Sequence, residues 1–166
     1  LGLTVGECSN HDILAKFGPT FKIDDEKKPS VDHLCYVSDR DGTLIMFSLV
    51  KSQCTKFEMM SRKDQFYKWN FCEDSPLVTK RISTESGVML GMQKNQLKKI
   101  LGAPIKESEA MLLFKFEGQK MIEEKERKKR SHNSEDKNIG SSRPVIIYIE
   151  AHFIALKLSL LTISIR

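Results

Sequence analysis

Val88-Met89-Leu90-Gly91-Met92-Gln93-Lys94-Asn95-Gln96-Leu97-Lys98-Lys99-Ile100-Leu101-Gly102-Ala103-Pro104 says most about how this chain is built. Leu97, Ile100 and Leu101 fall at helical spacing on one face, with Lys94, Lys98 and Lys99 outside. Gly102 ends the helix and Pro104 cannot continue it. The same order of features occurs near the start. Leu3-Thr4-Val5-Gly6 leads into Ser9–Phe17 and then Gly18-Pro19. There Ser9 is a natural N-cap, with Asp12 three residues on in a capping-box arrangement. Ile13, Leu14 and Phe17 make the apolar face. Two copies about half a chain apart read as an internal duplication. Helices this short are marginal alone in water, so each must pack on something.

The rest of the chain offers mainly strands. Thr20 to Ser30 is polar and reads as a loop. Val31 to Val37 and Thr43 to Val50 predict a hairpin around Ser38-Asp39-Arg40-Asp41-Gly42. Lys56 to Met60 predicts a third strand, and Gln65 to Phe71 an aromatic-rich fourth. In the second half Ala110 to Phe116, Pro144 to Ile149 and Phe153 to Ile165 have strand character. Lys120 to Arg130 has the composition of a solvated helix, and Ser131 to Ser142 that of a flexible polar loop. The expected fold is α+β: two tandem helix-plus-antiparallel-sheet units, with short helices packed on one face. The first unit covers 1–73 and the second 87–166. A polar connector, 74–86, joins them, and 119–142 forms a charged insertion.

At 166 residues and 40% hydrophobic, the chain can bury one core or two small ones. Its net charge of +5 permits an acidic partner without requiring one. No run reaches the roughly 18 apolar residues of a membrane-spanning helix. The chain opens without Met and inside the first copy, so an N-terminal segment is expected to be missing. Four cysteines, Cys8, Cys35, Cys54 and Cys72, suit an oxidising compartment, though buried free thiols are an alternative. A hairpin of Thr55–Met60 with Gln65–Phe71 would bring Cys54 and Cys72 together as a disulfide. Partners for Cys8 and Cys35 stay open.

The motif apolar-x-apolar-Gly-Met-x-x-x-x-Leu-x-x-Ile-Leu-Gly-x-Pro, carried by Val88 to Pro104, resembles the opening of BamE/SmpA-like small outer-membrane lipoprotein domains. In tandem it resembles the β-lactamase-inhibitor-protein-like fold. Gly6, Gly18, Pro19, Gly91, Gly102 and Pro104 carry the signature. The first copy has one extra residue between its glycines, and Tyr148 to Leu158 is similar to the closing strands of such a unit. The resemblance implies an extracytoplasmic location, in the periplasm or at the outer membrane. It also implies a non-enzymatic role in binding another protein through a sheet face, and often a lipid anchor. No lipobox precedes this chain, and Cys8 lies inside the motif, so it is not the anchor.

Function is therefore expected to be protein binding or an envelope-structural role. Tyr36, Phe47, Tyr67 and Trp69 are the candidate contact residues, because aromatics are favoured anchors. Inhibition of a secreted or periplasmic hydrolase is a narrower alternative. Catalysis is the third reading, resting on His11-Asp12 and Asp32-His33 as acid/base neighbours. Asp12 is already used as a cap, and adjacent strand residues point to opposite faces. No catalytic residue, metal ligand or cofactor is assigned, and no small-molecule substrate is expected. Nucleic-acid contact through Lys63, Lys68 and the nearby aromatics is disfavoured against strand packing. A membrane-surface contact would run through the missing N-terminal anchor.

Overall fold

The computed structural model describes residues 2–20, 22–24, 30–61, 72–121 and 142–165. The described residues form two helices, α1 (Asn10–Phe17) and α2 (Lys94–Leu101). They also form β1 (Lys22–Asp24), β2 (Val31–Val37), β3 (Thr43–Val50), β4 (Gln53–Ser61), β5 (Glu73–Asp74), β6 (Lys106–Glu107), β7 (Met111–Met121), β8 (Ser142–Ile154) and β9 (Lys157–Ile165). All strands join one sheet in the order β1-β2-β3-β4-β9-β8-β7-β6, with β5 parallel to β2.

This corrects the expected fold class. Two tandem units would each carry their own sheet, whereas here one mixed sheet joins all the described strands of both halves. The join is β4 against β9, antiparallel from Lys56↔Ser164 to Met60↔Leu160. Both strands are apolar on both faces near the join, at Met59-Met60 and Leu160-Leu161. An edge of that character left open would pair with another chain. Pairing the two removes both edges.

The helices begin and end as their sequences direct. Asp12 Oδ2 accepts hydrogen bonds from the Ser9 amide (2.7 Å) and Ser9 Oγ (2.6 Å), and the Asp12 amide donates to Ser9 Oγ. Those bonds hold the exposed Asp12 carboxyl below its ordinary range. At α2 the Gln93 amide donates to Gln96 Oε1 at 2.9 Å. The Gly18 and Gly102 amides close the helices on Leu14 O and Lys98 O, each at 2.9 Å, and Pro19 and Pro104 follow in loops.

One face of the sheet carries the core. Tyr36, Ile45, Met59, Leu161, Ala151 and Leu112 lie side by side in register across six strands. All six are fully buried. Ile13 and Phe17 of α1 and Leu97 of α2 join the same cluster. Burying a Leu or Ile side chain contributes about 1.5–3 kcal/mol, so such contacts explain why two helices marginal alone hold their shape. On the opposite face the matching row is Cys35, Met46, Glu58, Thr162, Glu150 and Leu113. Glu58 is buried there, but Lys56 Nζ lies 2.8 Å from its carboxylate and Thr162 Oγ1 donates to it at 3.2 Å.

Local devices recur in the two halves of this sheet. Two-residue turns at Lys51-Ser52 and Ala155-Leu156 connect β3 to β4 and β8 to β9, all four residues at positive φ. Each hairpin has an irregular rung, at Ser48/Leu49 and at His152/Phe153. The segment before each helix docks on the strand after the turn. The Gly6 amide donates to Cys54 O (2.7 Å) and the Gly91 amide to Leu158 O (2.8 Å).

Several element boundaries differ from expectation. The predicted Phe153–Ile165 strand breaks at Ala155-Leu156, a left-handed turn made without Gly or Asn. Part of the predicted loop Thr20–Ser30 forms β1 against β2. The predicted strand Gln65–Phe71 and the charged stretch 122–141 lie outside the described residues. Lys120, Met121 and Ser142, expected in the insertion, pair in the β7–β8 ladder.

Candidate functional site

Two of the expected contact residues are core. Tyr36 is 0% exposed and Phe47 1%. Tyr36 Oη donates to Gly18 O at 2.9 Å, and burial, with Glu73 nearby, pushes its phenol up to about 12. The Phe17 ring sits 5.1 Å from Tyr36 and 5.7 Å from Phe47. Their face of the sheet is the one α1 covers, so these aromatics hold the helix and present no contact surface. Tyr67 and Trp69 lie outside the described residues.

The disulfide also differs from expectation. Cys72 bonds Cys35, with Cα atoms 4.7 Å apart, and Cys54 is free. Cys54 lies at the end of β4 beside Leu49 and Cys8, whereas Glu73-Asp74 aligns with Tyr36-Val37 of β2 and carries Cys72 to Cys35. A disulfide is compatible with an oxidising, extracytoplasmic location. Among the described residues no helix is long and apolar enough to cross a membrane, and no group of three His, Cys, Asp or Glu side chains could hold a metal ion.

Of the two acid/base neighbours, Asp12 serves the α1 cap. His33 lies 3.0 Å from Ser48 Oγ across the β2–β3 ladder, a contact that sequence spacing does not reveal. Ser48 is only 5% exposed.

What the fold does leave open is a crevice of about 800 Å³ at one end of the β4–β9 join. Arg40, Lys80 and Lys157 supply three cations to its lining, and Asp41 one carboxylate. Asp41 is tied down: its Oδ2 accepts from the Lys80 amide at 2.8 Å and its Oδ1 from the Thr43 amide at 3.0 Å. Burial pushes the Asp41 carboxyl up, but these hydrogen bonds outweigh it and hold the group below its ordinary value. The net field is positive. Ile154, 51% exposed, lines the crevice, and Leu156, 71% exposed, immediately precedes the lining residue Lys157 in the chain.

The crevice exists because one side chain is small. In strand register Ser61 is to Cys54 as Ile165 is to Leu158. On the other half, Ile165 fills the space against Gly6, where an added Cβ would meet its Cδ1 at 2.3 Å. At Gly91 an added Cβ meets nothing within 4 Å. Ser61 leaves that space empty and polar. Aligning Ser61 with Ile165 in sequence was the available signal, but it requires the strand register.

No family model matches the chain, no curated protein matches it, and no solved structure matches its fold. The resemblance to BamE/SmpA-like domains therefore rests on the residues quoted for it alone, and the functional reading rests on the exposed turn at Leu156 with the crevice near it.

Proposed function

We propose that this chain is a non-enzymatic protein-binding module working outside the cytoplasm, in the periplasm or at the outer membrane. Its partner presents an acidic segment carrying an apolar side chain. The charge seats in the crevice of Arg40, Lys80 and Lys157, and the apolar group packs on Ile154 and Leu156. Leu156 is the observation that carries this reading. It sits at φ +66° in a two-residue turn with most of its surface in water. A left-handed backbone costs an L-residue roughly 1–2 kcal/mol, and Gly or Asn would fit better. An exposed leucine at such a position contributes little to the fold, which supports a role in contact. The disulfide supports the location, as does the motif resemblance.

The test places a photo-crosslinking amino acid at position 156, and a control at Lys99 on α2, in cells carrying an intact envelope. A defined partner should crosslink from 156 and not from 99. The crosslink should disappear in Arg40→Glu/Lys157→Glu. Equal crosslinking from both positions, or none from 156, refutes the reading. Leu156→Asn should lose the partner while raising thermal stability, which separates contact from folding.

A further inference from the structure

Cys8 and Cys54 face one another where the N-terminal segment docks on β4. Ser9 pairs with Gln53 in an isolated antiparallel bridge, which brings Cys8 and Cys54 next to one another. The Cys54 amide donates to Cys8 O at 2.9 Å. The Cys8 amide itself donates to Thr4 O, so this is the one backbone bond between them; residues opposite one another on antiparallel strands stand about 4.5–5.5 Å apart at Cα. That lies within the roughly 4.4–6.8 Å that disulfides span. Both residues are buried, at 6% and 0% exposure, and the Cys54 thiol donates to Lys56 O at 3.4 Å. In the other half the corresponding backbone bond joins Leu158 to Met92. An ordinary apolar pair therefore serves in the same place, and the fold itself does not demand cysteine.

We propose that Cys8 and Cys54 are the site of a second native disulfide, formed by exchange with an external disulfide as the chain folds. Cys8 attacks one sulfur of the oxidant as its thiolate. A mixed disulfide forms and one oxidant thiol departs. Cys54 loses its proton to solvent and attacks the Cys8 sulfur, and the second oxidant thiol leaves. Two protein thiols are oxidised and one disulfide is reduced to two thiols. The order follows from their unequal surroundings, since Cys8 keeps some exposure and Cys54 none. The neighbouring Cys54 lowers the Cys8 thiol, whereas the neighbouring Cys8 and burial raise that of Cys54. The new bond would fasten the segment before α1 to β4. With Cys35–Cys72 it would place a covalent tie on each face of the sheet.

The experiment starts from the full chain, denatured and reduced, and refolds it in a mixture of glutathione and glutathione disulfide. After denaturation, free thiols are alkylated and counted by intact mass, and a non-reduced digest is mapped. The expected result is no alkylated thiol and one peptide pair joining Cys8 to Cys54. Thermal unfolding of the oxidised form should move up by several degrees, a shift absent from Cys8→Ser/Cys54→Ser. Two alkylated thiols, a stable glutathione adduct, or a pairing of either residue with Cys35 or Cys72 would overturn the proposal.

Discussion

Gly6→Ala and Gly91→Ala put the same methyl group into the same backbone conformation at two sites that differ in one neighbour. The φ values are +90° and +85°. Forcing an L-residue into that region costs about 1–2 kcal/mol at either site. At Gly91 that is the whole effect, since nothing lies within 4 Å of the new Cβ. At Gly6 the Cβ meets Ile165 Cδ1 at 2.3 Å, while Cγ1 is 3.7 Å away. The clashing atom is the tip of a side chain that can turn. Driving it off its rotamer costs about 0.5–1.5 kcal/mol. Gly6→Ala should therefore be worse than Gly91→Ala by about 1 kcal/mol, or about 2–4 °C in Tm for a chain of this size. Ile165→Val deletes Cδ1. Alone it should cost about 0.5–1.5 kcal/mol, but in the Gly6→Ala background close to nothing. Reversible urea unfolding followed by circular dichroism, at unchanged m-value, measures all four proteins. Equal losses at the two glycines, or the same cost for Ile165→Val in both backgrounds, would refute the reasoning and with it the account of why the space at Gly91 is open while that at Gly6 is filled.

Two further outcomes follow from bonds already described. Replacing Cys35 and Cys72 with alanine opens a loop of sequence separation 37 and should cost about 4 kcal/mol by loop-closure entropy, read as a lower urea midpoint. Asp41 is held below its ordinary range, so its stabilising contribution is present above the unfolded value near 3.9 and is lost as pH falls through the lower folded value. The stability gap between wild type and Asp41→Ala should accordingly be constant near neutrality and shrink below about pH 4. A gap that widens with acid would contradict the assignment.

The helices were legible because their signals are local. Ser9 with Asp12, and Gly18 or Gly102 before a proline, specify a start and a stop within one short window. Most strands were legible from apolar runs. What the sequence concealed is long-range. Nothing near Met59 says that its strand pairs with Leu161, and that pairing merges the expected units into one sheet. The wrong cysteine pair has the same origin, because Cys72 reaches Cys35 through a parallel contact of two residues that no periodicity announces. The turn at Ala155-Leu156 was missed because its residues lack the Gly or Asn that normally marks such backbone. The crevice was missed because it depends on Ser61 standing where a larger side chain could stand, which only the register reveals.

The β4–β9 join also sets an order of events during synthesis. Glu58 and Thr162, which meet at its centre, are 104 residues apart. Loop closure over that distance comes before any contact across it can stabilise the chain. Until β9 leaves the ribosome, the apolar edge of β4 has no partner. A stalled or truncated chain ending before Lys157 would thus carry its most adhesive strand uncovered, and its fate would depend on what reaches that edge first: β9, a chaperone, or another copy of the same unfinished chain.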